Sequence, residues 1–287
     1  MTKLKDHLGR PVVAVTGIGV VTSLGKGKRE NWAALTAGRS GIHPITRFPV
    51  DHLNTRIAGM VDFLDSSSKG ASALTYELAE TAAEEAIAES GLDMEDFGGP
   101  LFLASPPVEL DWHDRLALYK GGGNEDASAR LLEAARAQNS LAMFDTSQFG
   151  FIAGRLADRF GATGLPITLS TACASGATAI QLGVEAIRRG EAQRALSVGA
   201  DGSATAEALI RFSLLSALST SNEAPEKASK PFSRDRDGFV LAEGSAALVL
   251  ESLESALARG AEVLGILRGC GEKADDFHRT RSKPAGP

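Results

Sequence analysis

The chain alternates short apolar runs with longer stretches in which apolar residues recur every three or four positions. The runs have the length of buried strands, and the periodic stretches have the spacing of amphipathic helices. Strands that alternate with helices indicate an α/β fold built around mostly buried sheets. The predicted strands are Val12–Val15, Leu101–Ala104, Pro166–Thr171, Arg194–Gly199, Gly244–Glu251 and Val263–Leu267.

The most regular helical pattern repeats Leu74, Leu78 and Ala82 every fourth residue. It predicts a helix over 69–90 that Gly91 ends. Further helices are predicted at 174–189, at 205–215, at 252–259, through Trp32 and Leu35, and over 111–139 with a mobile interruption at 121–124.

Composition narrows the class of protein. Of 287 residues, 43% are hydrophobic and 23% charged, which is typical of a soluble globular chain. The first ten residues lack the apolar centre of a secretory signal, and no apolar run approaches the ~18 residues of a membrane span. We therefore expect a cytoplasmic protein without a membrane segment. The net charge of −6 argues against nucleic acid as a partner.

Cys173 lies where a predicted strand meets a predicted helix, in a segment of small side chains at 170–177. The amino terminus of a helix presents unpaired N–H groups and partial positive charge, which favour a thiolate and an oxyanion. Small neighbours would let an acyl group approach the sulfur. The alternative is that a free cysteine is a small buried hydrophobe. The setting favours the nucleophile.

Other candidate sites are weaker. Cys270 lies between glycines at the end of a strand and is predicted to be structural. The segment 16–22 lacks the third glycine of a dinucleotide-binding fingerprint, since Thr22 occupies its place, and predicts a tight strand-to-loop turn instead. No two histidines are spaced as zinc ligands, so no metal site is expected. The histidines are His7, His43, His52, His113 and His278.

Five segments together resemble the β-ketoacyl-[acyl-carrier-protein] synthases of the elongating (KAS I and II) type. They occur in family order, and the resemblance covers essentially the whole chain. The segments are Val-Thr-Gly-Ile-Gly-Val-Val-Thr-Ser-Leu-Gly at 15–25, Gly-Arg-Ser-Gly-Ile at 38–42, Thr-Ala-Cys-Ala-Ser-Gly-Ala at 171–177, Ala-Leu-Ser at 217–219 and Pro-Phe-Ser-Arg-Asp-Arg-Asp-Gly-Phe-Val at 231–240.

The resemblance implies a thiolase-like layered αβαβα fold made of two similar halves, and a homodimer. Residues 1–251 would form the amino-terminal half with the nucleophile, and 252–287 only the beginning of the carboxy-terminal half. Cys173 would take an acyl group from acyl carrier protein. The phosphopantetheine arm of the carrier delivers the acyl group, so no further cofactor is expected. Decarboxylated malonyl-ACP would then attack that thioester to give a 3-oxoacyl-ACP. Phe212 would border the acyl pocket.

The chain also departs from the family pattern. Two histidines, in a His-Gly-Thr and a Gly-His motif, assist decarboxylation in the family, and neither motif occurs in the 287 residues. A downstream lysine and a glycine-rich phenylalanine loop are likewise missing, so we expect a partial chain that is inactive alone. Ser216 replaces an arginine of many relatives, which puts a carrier-protein contact in doubt. Ser23 replaces a familiar proline.

Three alternatives remain open at this point. A non-catalytic partner subunit resembling a chain-length factor usually lacks the cysteine, and Cys173 argues against it. A thiolase acting on coenzyme A thioesters is disfavoured by the Arg-Asp-Gly-Phe-Val motif at 236–240. A split enzyme would receive its remaining half from a separate chain.

Overall fold

A computed structural model describes residues 3–65, 70–107, 110–121, 123, 125–138, 141–278, 283, 284 and 286. Within them the strands are β1 (Val13–Thr22), β2 (Gly25–Lys26), β3 (His43–Pro44), β4 (Ile57–Ala58), β5 (Leu101–Ala104), β6 (Ile167–Leu169), β7 (Arg194–Asp201), β8 (Gly244–Ser252) and β9 (Gly265–Leu267). The helices are α1 (Lys28–Thr36), α2 (Ala71–Ser90), α3 (Trp112–Lys120), α4 (Ala127–Gln138), α5 (Leu141–Thr146), α6 (Phe151–Phe160), α7 (Ser175–Arg188), α8 (Ala206–Leu214) and α9 (Leu253–Ala258).

All six predicted strands are present, and so are the predicted helices where the structure describes them. The interruption predicted at 121–124 includes residues 122 and 124, which lie outside the described residues, as does residue 139. The short strands β2, β3 and β4 and the helices α5 and α6 were not predicted from the sequence.

Seven of the described strands form one mixed sheet. Its order is β2-β1-β8-β7-β5-β6, and β9 pairs with β1 beside β2. The strands β5, β6 and β7 run parallel, whereas β8 runs antiparallel to both β7 and β1. Strands β3 and β4 make a separate two-stranded sheet.

Helices cover both faces of the large sheet. On one face α2 and α6 bury the larger apolar core, which includes Leu74, Phe97 and Phe160. On the other face α7 packs over a second core, with Val184 and Ile187 fully buried. The central strands therefore lie between two helix layers, as expected for the sheet of an α/β fold.

Gly17 and Gly19 lie inside strand β1, so the strand-to-loop turn predicted at 16–22 is wrong. The reason is the close approach of α2 to this strand. A Cβ on Gly17 would stand 2.0 Å from the backbone oxygen of Ala86, and one on Gly19 would stand 1.8 Å from that of Ala82. The glycines are needed for packing between helix and sheet, because only a residue without a side chain fits there.

The carboxy-terminal segment stays attached to the same sheet. Helix α9 begins after Ser252, whose hydroxyl accepts the N–H of Ser255, and β9 then pairs with Val13–Val15 of β1. The domain boundary predicted after Glu251 stays a prediction. Among the described helices, we find none with the length and apolar character needed to span a membrane.

We expect Gly17→Ala and Gly19→Ala each to lower the free energy of unfolding by at least about 2 kcal/mol, since the added methyl group overpacks a backbone oxygen. Gly154→Ala in α6 is the matched control, because its Cβ meets nothing within 4 Å. That change should be neutral or gain ~0.5–1 kcal/mol from helix propensity. Urea unfolding of the three variants measures the difference, and equal effects at all three sites would contradict this account of β1.

Candidate active site

One edge of the large sheet gathers the segments that carry the candidate residues. Ala104 pairs with both Leu169 and Gly199, so the carboxyl ends of β5, β6 and β7 lie together. Asp201 pairs with Gly244, so β8 begins at the same edge. Cys173 follows β6, helix α8 follows β7, and the loop 231–243 leads into β8. The sheet therefore brings the predicted nucleophile, Phe212 and the Arg-Asp-Gly-Phe-Val segment to one edge.

Cys173 occupies a tight turn between β6 and α7, and its side chain is exposed. The residue before it, Ala172, has φ of +52°, in the left-handed region that non-glycine residues seldom adopt. An exposed cysteine behind a strained residue is not a buried apolar side chain packed in a core. The alternative interpretation of Cys173 as a small buried hydrophobe is therefore wrong.

The amino terminus of α7 leaves hydrogen-bond donors open beside Cys173. The N–H of Thr178 donates to the carbonyl of Ala174 at 3.0 Å. The N–H groups of Cys173, Gly176 and Ala177 donate to no acceptor within the described part of the chain. The first turn of α7 also carries no acidic residue. These open donors can bind an oxyanion that forms on a carbon attached to Sγ.

Helix α7 is fixed to the sheet at short range. The Ser197 hydroxyl of β7 donates to the carbonyl of Ala179 at 3.0 Å. A Cβ on Gly183 would stand 2.7 Å from the Ser197 Oγ atom and 2.9 Å from Leu250 Cδ1. Because helix and strands interlock here, the position of the first turn of α7 is set by the core beneath it.

Phe212 lies on helix α8, at the same edge of the sheet as Cys173. It is half-buried on α8 against the apolar cluster that contains Leu209 and Leu218. Its ring meets that of Phe239 edge to face, with 5.2 Å between the centroids. The described contacts of Phe212 are thus with the loop before β8, and its role in an acyl pocket stays a prediction.

Within the loop 231–243, the part from Asp237 to Phe239 is held by specific bonds. The Asp237 carboxylate accepts the hydroxyls of Ser219 at 2.9 Å and Ser221 at 3.0 Å. A Cβ on Gly238 would stand 2.3 Å from the Leu218 carbonyl carbon, so the backbones touch. Phe239 then exchanges backbone hydrogen bonds with the segment 217–219.

A buried ion pair continues this loop into β8. The carboxylate of Glu243 has no exposed surface and pairs with Arg47 through an Nη1–Oε1 distance of 2.6 Å. Burial raises the pKa of Glu243, while the bonds from Arg47 and from the N–H of Val61 oppose that rise. Arg47 also binds Asp62 at 2.8 Å. Removing either partner of such a pair would leave an uncompensated buried charge.

Cys270 is exposed on the segment after β9, and its predicted structural role stays a prediction. Partial desolvation of the Cys270 thiol by the surrounding residues raises its pKa. Within the described residues, no group of three His, Cys, Asp or Glu side chains is arranged to hold a metal ion.

Residues 10–256 match the family described as the N-terminal domain of beta-ketoacyl synthases. The 3-oxoacyl-[acyl-carrier-protein] synthase 2 of Coxiella burnetii is 32% identical over 281 residues, which cover 95% of this chain and 65% of that protein. The ketoacyl synthase alpha subunit of the tetracenomycin polyketide synthase of Streptomyces glaucescens is 36% identical over 281 residues, covering 96% and 65%. The chain thus spans about 65% of the length of these two relatives.

Solved structures agree with the fold. A type II polyketide synthase acyl-carrier protein in complex with its ketosynthase aligns with a TM-score of 0.75 at 29% identity, covering 91% of this chain and 62% of that one. A beta-ketoacyl synthase from Burkholderia phymatum STM815 aligns with a TM-score of 0.74 at 27% identity, covering 96% and 67%. The predicted thiolase-like α/β fold is confirmed.

The hydrogen bonds from Ser219 and Ser221 to Asp237 make the free energy of unfolding depend on pH. Hydrogen bonds from Ser219 and Ser221 hold the pKa of Asp237 below its usual value of 3.8, against the opposing effect of burial. Because the folded pKa is depressed, the stabilisation is present above pH 3.8 and is lost as pH falls through the folded value. We expect Asp237→Asn to cost at most about 1 kcal/mol at neutral pH and less in acid.

Urea unfolding of the wild type and Asp237→Asn at neutral pH and below pH 3.8 measures this difference. Asp235→Asn is the matched control, since Asp235 belongs to the same loop and its side chain is 78% exposed. A cost for Asp237→Asn that stays constant with pH would show that the Asp237 charge does not hold the loop.

Proposed function

Because this chain belongs to the β-ketoacyl synthase family, we propose that it carries the nucleophile of a condensing enzyme of fatty-acid or polyketide synthesis. Acyl carrier protein is the proposed acyl donor. Support comes from the solved complex of a related ketosynthase with its acyl carrier protein. No further cofactor is proposed, since the carrier's phosphopantetheine arm delivers the acyl group. We place the reaction in the cytoplasm, as the sequence predicts.

The proposed reaction has two halves. The Cys173 sulfur attacks the carbonyl carbon of the acyl thioester, and the pantetheine sulfur leaves as a thiol after taking up a proton. Malonyl-ACP then loses carbon dioxide, and the resulting carbanion attacks the Cys173 thioester. The C–S bond breaks, a 3-oxoacyl-ACP leaves, and the Cys173 thiolate takes up a proton from solvent to regenerate the thiol. Both attacks create an oxyanion that needs hydrogen-bond donors.

The observation that carries the proposal is the exposure of Cys173 at a strained turn beside the open N–H groups of α7. A nucleophile must be accessible to the thioester, and its oxyanion must meet donors that are already in place. The turn meets both requirements with groups from one short segment.

The groups that assist decarboxylation are proposed to come from outside these 287 residues. Neither the His-Gly-Thr nor the Gly-His motif of the family occurs among them. We therefore assign to this chain the acyl-transfer half of the reaction and expect no condensation from it alone. The alternative of a non-catalytic chain-length-factor-like subunit is disfavoured, because such a subunit has no use for an accessible cysteine.

We also propose a homodimer through the edge strand β6. Its one described neighbour is β5, at the end of the sheet order. Leu165, just before the strand, is 90% exposed, and Ile167 is 44% exposed. An unpaired edge with apolar side chains favours pairing with another strand, and a second copy related by a two-fold axis offers an identical one.

We expect the chain incubated with an acyl-ACP to gain the mass of one acyl group, measured on the intact protein. Cys173→Ser should abolish the gain, because it replaces the attacking sulfur. Cys270→Ser is the matched control and should leave the gain unchanged, since the second cysteine is also exposed but follows strand β9 and does not directly precede a helix. An acyl group that persists in Cys173→Ser or that maps to Cys270 would refute Cys173 as the acceptor.

For the dimer, light scattering after size-exclusion chromatography should give twice the chain mass for the wild type. Ile167→Lys should give the monomer, because a charge on the edge disfavours strand pairing. Ile266→Lys is the matched control on β9, with a similar 43% exposure. A monomeric wild type, or dissociation caused equally by both changes, would exclude the β6 interface.

A further inference from the structure

Ser175, in the first turn of α7, bonds one backbone group on each side of the strained turn at Ala172, the N–H of Thr171 and the carbonyl of Ala172. Its Oγ atom accepts the N–H of Thr171 at 2.8 Å and donates to the carbonyl of Ala172 at 2.6 Å. A serine hydroxyl has one proton and two lone pairs, so the two bonds form together without conflict. One side chain thus closes the turn immediately before Cys173.

The two bonds hold a conformation that an alanine does not prefer. A non-glycine residue at positive φ persists only where its surroundings fix it, and Ala172 has φ of +52°. Without the Ser175 hydroxyl, the Thr171 N–H and the Ala172 carbonyl lose their shared partner. The turn would then relax towards common backbone angles and carry the Cys173 side chain with it.

Thr178, one turn further along α7, supports the same turn from the other side. Its Oγ1 atom lies 2.8 Å from Thr171 Oγ1, 3.2 Å from the Ala174 carbonyl and 3.1 Å from the Glu272 carboxylate. Each threonine hydroxyl has a single proton. The contacts are satisfied when Thr171 donates to Thr178, which in turn donates to Ala174 or Glu272. The strand side of the turn is thereby tied to the helix.

We propose that Ser175 is a positioning residue for the acyl transfer, and that Thr178 supports it. Ser175 keeps the Cys173 sulfur exposed and beside the open N–H groups, without touching the substrate itself. The inference rests on the proposed function of Cys173 as the nucleophile.

The same bonds would exist if Ser175 only stabilised the fold, so the test must report on Cys173 itself. The chain contains its own reference, because Cys270 is exposed as well and lies on a different segment. Alkylation by iodoacetamide, followed over time by peptide mass spectrometry, gives the rate at each cysteine in the same sample. As long as the variant stays folded, a loss of stability alone leaves the ratio of the Cys173 rate to the Cys270 rate unchanged.

We expect Ser175→Ala to lower this ratio about tenfold, the factor that corresponds to about one net hydrogen bond. Ser175→Thr keeps the hydroxyl and should restore most of the ratio. Ser252→Ala is the matched control, since Ser252 also makes two hydrogen bonds, to the Ser255 N–H and the Gln193 side chain. It should leave the ratio unchanged. Should Ser175→Ala fail to fold, Thr178→Val should still lower the ratio about threefold.

An unchanged or increased ratio in folded Ser175→Ala overturns the proposal, and so does an equal fall in Ser252→Ala. The outcome is separable from the proposed function. If Ser175→Ala lowers the ratio while wild-type Cys173 takes no acyl group from acyl-ACP, the positioning role stands and the proposed function fails. If Cys173 is acylated but the ratio does not respond to Ser175, the function stands and the positioning role fails.

Discussion

The shared register of β5, β6, β7 and β8 is the constraint on which the candidate site depends. Parallel strands end at one edge of a sheet, and β8 begins there because it runs antiparallel to β7. The turn with Cys173, the helix α8 and the loop before β8 meet for this reason, although up to about 70 residues separate them in sequence. A one-residue shift of β6 would exchange its two faces and move the start of α7.

The helices pack against this sheet with unusually short distances between helix and strand backbones. Gly17 and Gly19 let α2 contact the backbone of β1 directly. The same helix supplies acceptors where β1 lacks a neighbouring strand, because Glu89 accepts the N–H of Ile18 and Glu85 accepts that of Val20. Carboxylates of a helix thus replace part of a strand ladder, which leaves these backbone donors satisfied. Helix α7 packs on the opposite face of the sheet. The turn with Cys173 is therefore positioned by the packing of both helix layers.

Much of this arrangement could be predicted from local patterns. The helix around Leu78 and the turn around Cys173 follow from periodicity and from small side chains between a strand and a helix. Local sequence predicts a turn at Gly17, because the close approach of α2 is a long-range packing contact that local sequence does not encode. The bonds of Asp237 to Ser219 and Ser221 could not be predicted from the sequence for the same reason. Short strands such as β3 and β4 have too few residues to show a period.

The most direct test of the account is the crystal structure of the chain after reaction with acyl-ACP. The account predicts a thioester on the Cys173 sulfur, with its carbonyl oxygen within hydrogen-bond distance, about 3 Å, of at least one open N–H group at the start of α7. A thioester whose oxygen points into solvent, or an acyl group bound at another residue, would contradict the central role given to this turn.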